Sequence, residues 1–325
     1  MKVLVVGLGA IGGSIAVKLS SISDVSILTR RADIVDTLNH SGISLTLLNQ
    51  EVVRAYPRVI TSIGDEKWDL VVLAVRAYDL ESTLESILAS LDIDTPVLAL
   101  TNGIVMDIVH KYVGDRAVCA SVDLGVGANG DGDYFVKIDG GLRIGDKVGG
   151  QVASRVKGMI SDAIDTQVVD DIVSATYAKV IINSVITSTA IVTGAKLKDI
   201  VTECKPVLDE IVFEAMKVAK VADIKVTSYK GMSFYVFCRK DMIGSMFRHV
   251  TWKYISTHYG DRKSTTVSRL ASGIKSEADY FTGYVVSLAK QYAVSTPINE
   301  AILDMVHKVE SGELTPDISN LKGLI

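Results

Sequence analysis

Cysteine is scarce in this sequence, and the net charge is small. Only three of the 325 residues are cysteines (Cys119, Cys204 and Cys238), and no two of them form a CxxC pair. We therefore expect neither a disulfide framework nor a metal site, and the composition favours a reducing compartment. The formal net charge of −4 provides no overall positive field that would attract nucleic acid.

Long uninterrupted apolar runs are missing as well. The most apolar segment, residues 180–195, contains Asn, Ser and Thr and is shorter than the ~20 residues that cross a bilayer. Glycines break the apolar start of the chain within a few residues, so we expect no signal peptide. These absences predict a cytoplasmic protein with no membrane partner.

A glycine motif stands between a strand pattern and a helix pattern at the start of the chain. Residues 3–6 are apolar, and an apolar-periodic helix pattern covers residues 14–19. In this context G-x-G-x-x-G makes a tight turn, lets the backbone approach a pyrophosphate, and lets helix and strand pack closely. A purely structural turn is the alternative. We predict a dinucleotide site formed by Gly7, Leu8, Gly9, Ala10, Ile11 and Gly12.

The end of the second predicted strand, residues 25–28, bears on the choice of dinucleotide. An NAD site usually has Asp or Glu there, whereas this chain has Thr29, Arg30 and Arg31. A guanidinium group suits a 2′-phosphate by charge and by geometry. We therefore predict NADP (NADPH) as the cofactor, with Arg30 as a ligand; a solvated arginine pair that opens the next helix is the alternative.

Strand and helix patterns alternate in the first half of the chain. Strand-like runs occur at residues 3–6, 25–28, 70–74, 97–99 and 117–121, with later ones at 142–145 and 166–169. This alternation predicts an α/β fold with a doubly wound parallel sheet. From about residue 172 the pattern is helical, with Pro297 opening one of the last helices. We predict a Rossmann domain over 1–168, an all-helical domain over 169–325, and a ligand cleft over the hinge.

Two further polar side chains follow predicted strands of the first domain. Arg76 follows the strand at 70–74, and Asn102 follows the strand at 97–99. Both belong to the carboxyl edge of the sheet, where a nicotinamide or a substrate carboxylate would lie. Each is equally compatible with an ordinary turn.

Three polar residues recur at a spacing of four in an otherwise apolar helix of the second half. Lys179, Asn183 and Thr187 therefore share one helix face, and we expect the apolar residues between them to point elsewhere. A lysine on such a face in a cleft is desolvated, which lowers its pKa towards a range where it can donate a proton. A lysine that extends along the helix towards solvent is the alternative.

These motifs, in this order, resemble those of the ketopantoate reductase (2-dehydropantoate 2-reductase) family. The resemblance covers most of the chain and extends to residues 141–145, 276–283 and 295–299. It implies a helical domain similar to that of 6-phosphogluconate dehydrogenase. It also implies an NADP-dependent oxidoreductase that reduces ketopantoate to pantoate in pantothenate and coenzyme A biosynthesis.

The resemblance also implies roles for individual residues. Lys179 corresponds to the family's proton donor, and Glu277 corresponds to its acidic catalytic partner. Asn102 and Asn183 correspond to groups that contact substrate and cofactor. The remaining positions implied are Arg76 and Ala128 for the cofactor, and Thr187 and Thr265 for the substrate.

Several positions depart from the family pattern. Thr187 and Leu197 stand where asparagines are usual, Arg269 reverses the charge of an aspartate, and Arg76 replaces a lysine. These differences change the substrate pocket that the family pattern implies. The protein could therefore reduce another 2-oxo acid, or catalyse an opine-type condensation on the same scaffold. A non-catalytic NADP-binding sensor and a homodimer also remain open.

Residues 225–275 combine basic and aromatic residues. The segment contains ten Lys or Arg against two acids, together with eight aromatic residues. Such interleaving can bind nucleic acid. The alternative, which the acidic protein as a whole favours, is a helical layer whose aromatics pack in the core and whose cations face solvent, a cofactor phosphate or a partner subunit.

Overall fold

The computed structural model describes residues 1–229, 231–260, 267, 270 and 273–324. The chain divides into two compact units, Met1–Ile172 and Val173–Ile325. The first unit combines a mainly parallel sheet with helices, and the second is helical. The predicted fold class is therefore confirmed.

Among the described residues, all strands lie in the first unit. They are β1 (Lys2–Val6), β2 (Asp24–Leu28), β3 (Ile43–Thr46), β4 (Val52–Ala55), β5 (Arg58–Ile60), β6 (Leu70–Leu73), β7 (Val97–Ala99), β8 (Ala117–Val122), β9 (Gly125–Gly130), β10 (Asp133–Ile138), β11 (Leu142–Gly145) and β12 (Thr166–Val168). Its α-helices are α1 (Ala10–Leu19), α2 (Val35–Ser41), α3 (Leu80–Ile87), α4 (Met106–Val113) and α5 (Gln151–Ile160). Short 3₁₀ turns cover Ala32–Ile34, Ala77–Asp79, Leu88–Ser90 and Gly114–Arg116.

The second unit is built of helices where the structure describes it. They are α6 (Ile172–Asn183), α7 (Thr189–Thr193), α8 (Leu197–Val221), α9 (Phe234–Phe237), α10 (Met242–Tyr259), α11 (Thr282–Gln291), α12 (Pro297–Ser311) and α13 (Ser319–Lys322). A π-helical segment, Ser184–Ser188, joins α6 to α7, and a 3₁₀ turn covers Ala278–Tyr280.

The larger sheet has the strand order β12-β11-β8-β7-β6-β1-β2-β5. All of its neighbouring strands are parallel except β8 and β11, which are antiparallel. Strand β1 lies near the middle, and its Val3, Leu4 and Val5 are fully buried. Strands buried on both faces read as continuous apolar runs, which is why the sequence predicted them.

A second sheet was not predicted from the sequence. Its order is β4-β3-β10-β9, and it packs beside α1. Gly13 of α1 lies against the ring of Tyr134, where a β-carbon on Gly13 would come within 2.1 Å of the ring. The two halves of this sheet, β3–β4 and β9–β10, join through the pairing of β3 with β10, which lies far along the chain.

The longest apolar helical stretch runs through α6, the π segment and α7. Within the described residues, this stretch, Ile172–Thr193, alone has the length and apolar character to cross a membrane. Of its most apolar window, 72% is buried in the structure. A core helix has the same length and composition, so the stretch is weak evidence for a membrane span.

A buried carboxylate connects α8 to the start of α12. Glu214 accepts hydrogen bonds from the backbone N–H groups of Ile298 and Asn299, both at 2.9 Å, and from the Asn299 side-chain amide at 2.7 Å. Glu214 is 7% exposed and Asn299 is fully buried. An acid at a helix N-terminus satisfies free N–H groups and suits the helix dipole. Helix α12 begins at Pro297, as predicted.

Three of the eight aromatic residues of the basic segment lie in the core, whereas Tyr235 and Tyr254 are exposed. Phe234, Phe237 and Trp252 are buried, and the indole N–H of Trp252 donates to Asp209 at 2.6 Å. Arg248 donates to the backbone carbonyl of Phe237 at 2.7 Å. These contacts favour the interpretation that the segment forms a helical layer with aromatic residues packed in the core, rather than a surface that binds nucleic acid. Four of the basic residues lie outside the described part of the chain: Lys230, Arg262, Lys263 and Arg269.

Candidate active site

The turn after β1 leaves no room for side chains at two of its glycines. Gly7 has φ +105°, and a β-carbon there would lie 2.8 Å from the carbonyl oxygen of Ala74. A β-carbon on Gly12 would lie 2.0 Å from the carbonyl oxygen of Gly7. Positive φ and close packing are the properties that the fingerprint requires of its first and third glycines.

Gly9 has the opposite environment. It is exposed, and a β-carbon there would meet nothing within 4 Å. It is the N-cap of α1, with no side-chain cap and no acidic residue in the first turn. A helix start without a side-chain cap, next to open space at Gly9, fits the diphosphate of a dinucleotide.

Further candidate residues follow neighbouring strands at the same edge. Strands β2, β1, β6 and β7 are adjacent and parallel, so their carboxyl ends lie side by side. Arg30 follows β2, Arg76 follows β6 and Asn102 follows β7. The structure thus brings all three to the edge that carries the glycine turn. Ala128 lies elsewhere, on β9 of the second sheet, in register with Tyr134 of β10.

Arg30 already has a carboxylate partner at this edge. Its Nη1 and Nη2 atoms donate to Oδ1 and Oδ2 of Asp79 at 3.3 and 3.1 Å. The Arg30 side chain is 83% exposed, and that of Asp79 is 23% exposed. Asp79 was not predicted as a partner of Arg30, because no local sequence pattern connects it with a residue 49 positions earlier.

Arg31 is held by two other acids. It donates to Asp33 at 2.7 Å and to Asp131 at 2.6 Å. These hydrogen bonds, with that to Asp33 the stronger cause, raise the pKa of Arg31 above its usual value. The hydrogen bond from Arg31 in turn lowers the pKa of Asp33. Both arginines at the end of β2 are therefore paired within the protein.

The lysine helix of the second unit presents its polar residues on a partly exposed face. Lys179, Asn183 and Thr187 are all half-buried. The prediction that the other apolar residues point elsewhere is wrong for Ile182 and Ile186, which are also half-buried beside them. It holds for residues on the opposite side, which are buried: Val180, Ile181 and Val185.

A π-helical segment begins directly after Asn183. It covers Ser184–Ser188 and therefore contains Thr187. A π segment has more residues per turn than an α-helix, so Thr187 departs from the α-helical spacing used in its prediction. Such segments are frequent at functional sites. Nothing in the residue pattern distinguished this segment from a continuous α-helix.

Glu277 is buried in a loop that polar contacts hold in place. It is 7% exposed and directly precedes the 3₁₀ turn Ala278–Tyr280. Its neighbour Ser276 donates its backbone N–H to Oε1 of Glu310 at 2.8 Å. The Ser276 hydroxyl accepts the N–H of Ala278 at 3.1 Å. These hydrogen bonds therefore hold Ser276 and Ala278, the residues on either side of Glu277, in place.

The Glu277 loop and the lysine helix lie close together in the second unit. The 3₁₀ turn Ala278–Tyr280 contacts the π segment Ser184–Ser188. The hydroxyl groups of Ser188 and Thr282 are 2.8 Å apart. The structure therefore brings the π segment, which contains Thr187 and directly follows Asn183, close to the turn that directly follows Glu277, although about ninety residues separate the two segments.

Of the other residues predicted to line the substrate pocket or to depart from the family pattern there, only Leu197 lies in the described part of the chain. Thr265 and Arg269 lie outside the described residues. Leu197 is the first residue of α8 and is buried. At this position, an apolar core contact occupies the place predicted for a polar family residue.

Two family models match the chain. The model described as "Ketopantoate reductase PanE/ApbA" matches residues 3–149, and its C-terminal counterpart matches residues 171–310. A 2-dehydropantoate 2-reductase of Pyrococcus horikoshii is 24% identical over 319 residues, which cover 96% of this chain and 98% of the relative.

Two solved structures with the same fold align with nearly the whole chain. A PanE/ApbA family ketopantoate reductase from Ralstonia eutropha JMP134 has a TM-score of 0.82 at 20% identity, and covers 96% of this chain and 99% of its own. A D-mandelate dehydrogenase in ternary complex with NADH and anilino(oxo)acetate has a TM-score of 0.80 at 22% identity, with the same coverage. At these identities the likeness shows the fold alone.

Proposed function

This chain belongs to the ketopantoate reductase family of oxidoreductases, and from that premise we propose that it reduces 2-dehydropantoate to pantoate with NADPH. The open space above Gly9, at a helix start with no acid in its first turn, carries the cofactor part of this proposal. The half-buried face of Lys179 and Asn183, with the Glu277 loop against the adjoining π segment, supports the catalytic part.

Each residue has a defined task in the proposed reaction. The first turn of α1 binds the diphosphate, and Arg30 binds the 2′-phosphate. When bound, NADPH supplies the hydride. Lys179 protonates the substrate oxygen as negative charge develops there. Asn102 and Asn183 orient the substrate by hydrogen bonding, and Glu277 anchors the substrate or the cofactor.

A second candidate substrate class is another 2-oxo acid. Thr187 lies in the π segment and is shorter than the asparagine that the family usually has there. A pocket that loses a hydrogen bond to a substrate hydroxyl also loses discrimination against analogues without that hydroxyl. The related D-mandelate dehydrogenase fold makes an aromatic 2-oxo acid worth testing.

A panel of 2-oxo acids tests the substrate. We expect NADPH oxidation to be fastest, by kcat/KM, with 2-dehydropantoate rather than with branched aliphatic acids or phenylglyoxylate, each assayed with and without an amine. A preference for another acid would assign a different substrate, and dependence on the amine would indicate opine-type condensation. Tight binding of NADPH without turnover of any acid in the panel would favour the alternative that the protein is a non-catalytic NADP-binding sensor.

Cofactor preference is a separate prediction. We expect NADPH to bind at least tenfold more tightly than NADH, equivalent to roughly 1.4 kcal/mol. Arg30→Ala should weaken NADPH binding alone, because only NADPH carries the 2′-phosphate. Calorimetric titration of both nucleotides measures this difference.

A matched control removes an equal charge elsewhere on the same unit. Arg54 lies on β4 and donates to the carbonyl oxygen of Ser41 at 3.0 Å. We expect Arg54→Ala to leave the ratio of the two affinities unchanged. Equal affinities in the unmodified protein would contradict the assignment of NADPH.

A cytoplasmic location and a homodimer stay predictions.

A further inference from the structure

The ion pair between Arg30 and Asp79 crosses the carboxyl end of β1. Strand β1 lies between β2 and β6 in the sheet, and Arg30 follows β2 while Asp79 follows β6. The glycine turn that follows β1 therefore lies between the two elements that the pair connects. A dinucleotide on that turn has to extend its adenosine ribose towards the end of β2.

At the end of β2, both arginines are already paired with carboxylates, which compete with any phosphate that binds there. Arg30 is paired with Asp79, and Arg31 is paired with Asp33 and Asp131. Two guanidinium groups thus stand against three carboxylates. Arg30 donates from both of its Nη atoms to Asp79, so a 2′-phosphate that binds Arg30 either displaces the Asp79 carboxylate or shares the guanidinium group with it, and phosphate and carboxylate are both negatively charged.

We propose that Asp79 is a specificity-determining residue that limits the preference for NADPH by competing with the 2′-phosphate for Arg30. This inference rests on the proposed use of a nicotinamide dinucleotide. An exposed ion pair is weak, so the phosphate can displace Asp79. The displaced carboxylate nevertheless stays near the phosphate and repels it. NADH has no 2′-phosphate, so it does not have to displace Asp79.

Asp79→Asn separates this role from a structural one. The substitution keeps the size of the side chain and removes its charge. We expect the Kd of NADPH to fall about fivefold, the effect of one exposed ion-pair partner, whereas the Kd of NADH stays constant or rises. The same comparison between adenosine 2′,5′-bisphosphate and 5′-AMP isolates the 2′-phosphate, and calorimetric titration of the full chain measures all four ligands.

Asp33→Asn is the matched control. It removes the same charge from the same end of the sheet, but Asp33 is a partner of Arg31 rather than of Arg30. We expect it to change the ratio of NADPH to NADH affinity less than Asp79→Asn does. In the Arg30→Ala background, Asp79→Asn should change the ratio of NADPH to NADH affinity much less, because the guanidinium group for which Asp79 and the 2′-phosphate compete is then absent.

The outcomes separate this inference from the proposed function. Normal binding of NADPH with an affinity ratio that Asp79→Asn leaves unchanged, or changes no more than Asp33→Asn, would overturn the role of Asp79 alone. An undiminished effect of Asp79→Asn without Arg30 would also overturn it. If neither dinucleotide binds the unmodified protein, the proposed function and this inference both fail.

Discussion

Lys179→Ala is expected to lower kcat for the preferred 2-oxo acid at least a hundredfold while the Kd of NADPH changes little. A positioned proton donor contributes about 10²–10⁴-fold to a rate. Lys179 is the half-buried cation on the helix face that also carries Asn183, next to a π segment that contacts the Glu277 loop. Single-turnover oxidation of NADPH measures the chemical step, and titration measures cofactor binding.

Two further variants distinguish chemistry from structure at this position. Lys179→Gln keeps a long polar side chain that cannot release a proton as an ammonium does, and it should be nearly as slow as Lys179→Ala. Lys217→Ala removes an exposed lysine from α8 and should leave turnover unchanged. Turnover of Lys179→Ala close to that of the unmodified protein would show that the lysine is structural.

Glu214→Ala is expected to lower the free energy of unfolding of the second unit by about 3–5 kcal/mol. The change removes the acceptor of three N–H groups, and a buried unsatisfied donor costs about 1–3 kcal/mol. Urea unfolding followed by circular dichroism measures the loss. Hydrogen exchange should show that the first turn of α12 loses protection before the rest of the helix.

The neighbouring acid on α8 provides the control for this prediction. Glu210 lies one turn before Glu214 and is half-buried. We expect Glu210→Ala to cost less than about 1 kcal/mol, as most substitutions away from buried networks do. Equal stability of the two variants would mean that the contacts of Glu214 with Ile298 and Asn299 do not hold α12 in place.

The larger sheet was predictable because its strands carry their own signal. The central strands β1, β6 and β7 are buried on both faces, so their residues form short apolar runs separated by helix patterns. The smaller sheet carries no comparable signal. Strand β9 contains three glycines, and β3 pairs with the nearby β4 on one side but with β10, nearly ninety residues later, on the other.

By itself, the sequence determined the parts of the candidate site that local geometry dictates. Gly7 and Gly12 have backbone environments that exclude a side chain, and Lys179 and Asn183 share a face because four residues make about one helical turn. These relations extend over a few residues, so a pattern records them. They need no knowledge of the rest of the chain.

Only the tertiary structure decided which distant polar side chains meet. Arg30 is paired with Asp79, which lies 49 residues away, and Glu214 holds Asn299 from 85 residues away. Neither pairing leaves a local pattern, because it depends on the order of the strands and on the packing of one helix against another. The sequence therefore predicted a free cation for a cofactor phosphate, whereas folding places a carboxylate against it.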